Sequence, residues 1–252
     1  MTNVIDEDLK KLFDCWADQE CCQKNGFEID HKKNGFIRDG LVDSKMWHSN
    51  KCGKKIIFLL KEAYGNKEAW NLTEWVAQKG PLYNIWKRIA EWTYGILNTD
   101  INKIATFPED KDFTQNVANG YLRRIAVLNL KKSNGKSESK DDEIAAYGIN
   151  DKDFIKKEIE LIDPDVIICG GSVTINTLDE IYDKSIIKNP SNLVAFYFSD
   201  IIGGKERLFI DYYHPAVRYP KVLTYYGVVN IYQQALLLKA KFDGVRYAEN
   251  NR

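Results

Sequence analysis

The chain has 252 residues, 44% of them hydrophobic, enough to bury a sizeable core as one large α/β domain or two small ones. Its 36 basic and 36 acidic residues cancel, which excludes a global field drawing it onto nucleic acid or anionic membrane, though not a local basic groove. No apolar run approaches the roughly 20 residues that span a bilayer, and the acidic start Val4-Ile5-Asp6-Glu7-Asp8 is unlike a secretory signal, so a soluble cytoplasmic protein is expected.

In chain order, residues 6–24 read as an amphipathic helix with Leu9, Leu12, Phe13 and Trp16 on one face. Four of the five cysteines, Cys15, Cys21, Cys22 and Cys52, share the first fifth of the chain with His31 and His48. A metal site and free thiols are the two readings of that cluster. Neither a Cys-x-x-Cys nor a His-x-x-x-His pair is present, so free thiols are favoured and no metal is expected. Asn25-Gly26 and Asn34-Gly35 mark a turn-rich connection to Gly40. Residues 54–60 form the first strand, a continuous apolar run as in a parallel strand covered on both faces. Lys61-Glu62-Ala63-Tyr64-Gly65-Asn66 after it reads as a polar, flexible turn.

An aromatic loop or short helix from Trp70 to Trp75 precedes a helix beginning at Pro81, with Leu82, Ile85, Trp86 and Ile89 on one side. The second strand lies within residues 121–130. Its tail, 131–140, has no apolar residue and is expected to be a mobile loop, its lysines either solvated or touching phosphate. Asp151 has the place of an N-cap for a helix stopped by Pro164. Val166-Ile167-Ile168-Cys169 is the third strand, and Gly170-Gly171-Ser172 turns into a helix whose start offers backbone N–H groups to an anion. Residues 193–198 and 207–212 suggest a hairpin-like excursion. The second of these presents the His214-Pro215 step at its carboxyl end, and residues 222–242 close the chain as a long helix.

This alternation predicts a three-layer α/β/α sandwich around a central four-stranded, mainly parallel sheet. A single domain over residues 1–252 is expected, with a helical extension of about residues 1–50, and a monomer. Glu62, Asn129, Gly170-Gly171 and His214 each follow a strand, so they should share the rim where open α/β sheets bind ligands. A histidine there is either a hydrogen-bonded core residue or part of a site.

The set Leu60-Lys61-Glu62-Ala63-Tyr64-Gly65, Val127-Leu128-Asn129-Leu130, Pro164-Asp165-Val166-Ile167-Ile168-Cys169-Gly170-Gly171 and Tyr213-His214-Pro215-Ala216-Val217-Arg218 resembles the uracil-DNA glycosylase superfamily. Members have a Gly-Glu-Ala-Pro-Gly or Gly-Gln-Asp-Pro-Tyr turn, an asparagine on the second strand, a Pro-x-Val-Ile strand ending in glycine, and a His-Pro-Ser loop. The resemblance runs from about residue 54 to 240 and implies the same fold, a base-excision repair hydrolase, a single- or double-stranded DNA partner carrying an altered base, and no cofactor.

It implies that Asn129 pairs with the polar edge of a flipped uracil and that His214 stabilises charge on the departing base. Glu62 and the backbone of Ala63 and Tyr64 would hold the attacking water, and Trp70 or Trp75 would stack on the base. Gly170 and Gly171 would form part of the pocket, while Val217, Arg218 and Tyr219 would enter the vacated helix or hold phosphate. Ala63 stands where the most active branch has an aspartate, so the motif is similar to the Gly-Glu-Ala branch. The iron–sulfur cysteines of that branch are not reproduced, Ser133 lying near one expected position. Tyr64 replaces a proline and Ala216 a serine. Two other classes compete: a binding member that keeps the pocket without catalysis, and an acyl hydrolase built on Ser172, Asp211 and His214. Residues 170–174 lack the final glycine of a nucleophile elbow, which weighs against the last.

Overall fold

The computed structural model describes residues 4–65, 67–136, 138–187 and 195–250, with side chains described as far as residue 242. The central sheet consists of β1 (Gly40–Leu41), β2 (Ile56–Tyr64), β3 (Ile125–Gly135), β4 (Val166–Gly170), β5 (Phe196–Ser199) and β6 (Arg207–Tyr212). Their order across the sheet is β1-β3-β2-β4-β6-β5. The four inner strands run parallel, and both edges are antiparallel.

Residues along the inner strands alternate between two cores, which is why their sequence reads as unbroken apolar runs. Ile56, Phe58 and Leu60 of β2 face helices Asn84–Leu97, Gln115–Leu122 and Lys221–Asn250. Ile57 and Leu59 face helices Val4–Ala17, Lys152–Ile162 and Ser172–Ile181. Helices therefore cover both faces of the sheet in three layers. No helix among the described residues is long and apolar enough to cross a membrane.

The sheet has six strands and is mixed, where four mainly parallel strands were expected. The added edges are short. β1 comes from the N-terminal segment, and β5 from the excursion before β6; of the latter's expected start, residues 193 and 194 lie outside the described residues. The N-terminal fifty residues are thus not a purely helical extension: their helix ends at Ala17, a small hairpin pairs Cys22–Lys24 with Phe27–Ile29, and β1 joins the main sheet.

Two strands also run further than their apolar residues suggest. β2 continues to Tyr64 rather than turning after Leu60, and β3 to Gly135, with a register irregularity between Glu62 and Tyr64. Every residue of β3 is buried, including Lys131, Lys132, Ser133 and Asn134, so the expected mobile loop is a covered strand for half its length. Ser137 of that loop lies outside the described residues. Much of the cover is the N-terminal segment: Phe36 bridges Ser133, His31 contacts Ser133 and Asp39 contacts Lys132.

Candidate functional site

From β2 the chain passes to β3 on one side, whereas from β4 it passes to β6 on the other. The carboxyl ends beside that divergence form the crevice where such sheets bind ligands. A cavity of about 730 Å3 opens there. Glu62, Asn129 and His214, supplied by β2, β3 and the loop after β6, all line it, with Ala63, Tyr64, Trp70 and Trp75.

Asn129 is buried, and its position is set by Asp39, which precedes β1. One Asp39 carboxylate oxygen, Oδ2, accepts the Asn129 backbone N–H at 2.7 Å and its side-chain Nδ2–H at 3.2 Å. The other, Oδ1, meets the Lys132 ammonium, which also contacts Glu158 at 2.7 Å. Burial alone lowers the Lys132 pKa, but Asp39 and Glu158 more than reverse this and leave it raised. Burial pushes the Glu158 carboxyl well above the usual range against the pull of Lys132. A proton on Glu158 leaves this dry cluster without net charge, the arrangement that burial favours.

Glu62 sits opposite Lys131 in the register of β2 and β3. The Lys131 ammonium lies 2.8 Å from Glu62 and 2.7 Å from Glu143. Burial lowers its pKa, and the hydrogen bonds to Glu143 and Glu62 outweigh that to leave it raised. The Glu62 side chain packs over Gly135, where a Cβ would collide with its carboxyl group.

His214 lies beyond the end of β6, and its Nδ1 accepts the Ala216 N–H at 3.2 Å. Burial, helped by the Lys61 charge, lowers its pKa to about 4. The ring is therefore neutral near pH 7 with its proton on Nε2, which leaves a donor. The loop itself is held by Arg88 of helix Asn84–Leu97, which donates to the carbonyls of Pro215 at 2.8 Å, Val217, and Tyr219 at 3.4 Å.

The walls are aromatic. Trp75 packs against Trp70, Tyr83 and Trp86 at centroid separations of 6.4, 4.8 and 6.5 Å. Trp70 is oriented by Asn134, whose Oδ1 accepts the indole N–H at 2.9 Å while its Nδ2 donates to the carbonyls of Asn34, Gly35 and Glu68. Gly65 is glycine because a Cβ there would overlap Asn134. Helix Leu72–Lys79, which carries Trp75, starts at Asn71, whose side chain accepts the Glu74 N–H.

The remaining expected residues lie elsewhere. Gly170 backs the cavity wall: a Cβ on it would stand 2.8 Å from Leu60 Cδ2. The Gly171 N–H donates to Tyr212 O at 2.7 Å, so that one group of the glycine turn is not free for an anion. Val217, Arg218 and Tyr219 are outside the cavity lining. Tyr219 is 50% exposed and packs edge-on to the equally exposed Tyr213 at 5.3 Å.

The hydrolase arrangement is not assembled. A triad histidine donates from Nδ1 to its acid, whereas His214 Nδ1 accepts from a backbone N–H. A Ser-His-Asp constellation does exist at Ser133, His31 and Asp151, with His31 at 2.9 Å from Ser133 Oγ and 3.1 Å from Asp151 Oδ2, but all three are buried away from any substrate. Asp151 consequently makes no side-chain cap for the helix it precedes. None of the five cysteines is joined in a disulfide.

Arg88, Asp39, Lys131 and Asn134 were missed in the sequence. Arg88 had a signal: it falls on the stripe of Ile85, Ile89 and Trp92, where a charge needs a buried partner. The others have none: composition alone reads the tail that holds Lys131 and Asn134 as solvated, and the partners of Asp39 lie some 90 residues along the chain. Comparison of the chain with models of known protein families and with curated proteins finds no match.

Proposed function

We propose that this chain is a uracil-DNA glycosylase-like enzyme that hydrolyses the N-glycosidic bond of uracil or another altered base flipped from DNA. The observation that carries the reading is one aromatic-walled cavity lined by a buried amide, Asn129, a neutral imidazole, His214, and a carboxylate, Glu62. Its donor and acceptor let the Asn129 amide meet the polar edge of a pyrimidine, while the tryptophan walls offer stacking surface.

As the bond breaks, electrons pass to the base and the sugar becomes cationic. The Nε2–H of His214 donates to the developing base anion without first losing a proton. Glu62, Lys131 and Glu143 together carry one net negative charge, which stabilises the sugar cation until water adds to it; the base then takes up the proton the water releases.

A second reading is favoured by one feature: Ala63 offers no base to activate water, and the Glu62 carboxylate is held by Lys131. On that reading the pocket binds a base without turning it over. The deciding experiment incubates single- and double-stranded uracil-containing oligonucleotides with the protein and reads alkali-labile breaks. Breaks that fall at least a hundredfold in Asn129→Ala and His214→Ala are expected. If uracil, hypoxanthine, xanthine and modified-cytosine substrates all stay intact while uracil quenches tryptophan fluorescence, the binding reading replaces the enzymatic one. If neither happens, both fail.

A further inference from the structure

We infer that Asp39, from the N-terminal segment, is a positioning residue that locks the Asn129 amide in one orientation and so decides which base edge the pocket accepts. The inference rests on the base-pocket reading and deepens it.

An asparagine side chain can present its oxygen and nitrogen in either of two arrangements related by a flip. Left free, it would match the imide edge of uracil, acceptor beside donor, in one arrangement and the amidine edge of cytosine, donor beside acceptor, in the other. Asp39 removes that freedom. A carboxylate accepts and cannot donate, so the amide must turn its Nδ2 toward Asp39 Oδ2, as the 3.2 Å contact has it. The flipped form would set two oxygens against each other in a buried setting. What remains for a ligand is one Nδ2–H and Oδ1, each in a set place. Among the described residues Oδ1 has no hydrogen-bond partner, consistent with its being left for a ligand.

The carboxylate is itself unable to turn. Its second oxygen is held by Lys132, whose ammonium is fully buried, contacts Glu158, and lies over the rings of Trp16 and Phe13 at 5.1 and 5.7 Å. Backbone on either side is pinned as well, because Arg38 pairs with Asn71 and Gly40 with Val127. Lys132 thus holds Asp39, and Asp39 holds Asn129, across strands that bring residues 39, 129 and 132 together.

The test measures binding of 1-methyluracil and 1-methylcytosine by tryptophan fluorescence in wild type, Asp39→Asn and Glu158→Gln. An asparagine at 39 can offer either oxygen or N–H, which frees the amide. Glu158→Gln perturbs the same lysine without touching Asn129. The wild type should prefer 1-methyluracil by tenfold or more, Asp39→Asn should discriminate by less than threefold, and Glu158→Gln should keep the wild-type ratio. An unchanged ratio in folded Asp39→Asn overturns the inference, as does an equal loss in Glu158→Gln. If Asp39→Asn does not fold, hydrogen exchange of the wild-type Asn129 side-chain amide decides: one protected and one fast proton supports the lock, and two fast protons refute it. Failure of the wild type to bind either compound defeats the base-pocket reading, while the same exchange measurement still decides the positioning.

Discussion

A half-buried imidazole with an accepting Nδ1 has only one way to act near neutral pH, as a neutral donor through Nε2. The His-Pro step and the strand before it were legible in the sequence; the Ala216 N–H that selects the tautomer was not, because it depends on how the loop curls back under Arg88. The lowered pKa has a consequence for stability. An unfolded histidine titrates near 6.5, and His214 titrates at about 4 in the fold, so between these values the unfolded chain binds the extra proton. Its contribution is whole above about pH 6.5, declines as pH falls through the window, and is lost below about pH 4, amounting to up to about 3 kcal/mol. Denaturant titrations of wild type and His214→Gln from pH 7 to 4 should therefore converge or cross as the wild type weakens. Parallel curves would show that the histidine is not desolvated.

The site depends on the elements because β2 and β3 stay paired past the point where their apolar residues end. Past Leu60 and Leu130, cohesion passes to charge: Lys131 lies between Glu62 and Glu143 where two polar tails would otherwise separate. Removing one partner of a buried pair strands the others, so Lys131→Met should destabilise by about 3–5 kcal/mol in urea unfolding. Adding Glu62→Gln should recover part of this, since the orphaned carboxylate goes with it, and the double-mutant cycle reads the coupling directly. Strictly additive losses would mean the pair does not hold the strands. The sequence showed that these strands exist and roughly where they start. It did not show where they stop, because a lysine-rich tail reads as solvated until another segment is known to cover it.

At the scale of the molecule, the N-terminal fifty residues complete the domain. They supply an edge strand, the Trp16 layer of the core, Asp39 for Asn129, and His31 for Asp151 and Ser133. Unfolding should then be one cooperative transition, with tryptophan fluorescence and far-UV circular dichroism giving coincident urea midpoints. His31→Ala, which leaves Asp151 buried without that partner, should lower the midpoint by the equivalent of about 2–4 kcal/mol while keeping a single transition. A separate early loss of the N-terminal segment would show that it is an independent appendage.

The amino-acid order by itself determined the inner strands, their burial on both faces and the arrival of Glu62, Asn129 and His214 on one rim. Those follow from apolar periodicity, turn residues and the short-range rules of parallel sheets. Tertiary structure alone decided which charges are buried, where β2 and β3 end, and that Asp39 grips Asn129. Residues 39, 132 and 158 are far apart along the chain, and burying a lysine is tolerable only once folding has brought Asp39 and Glu158 to it.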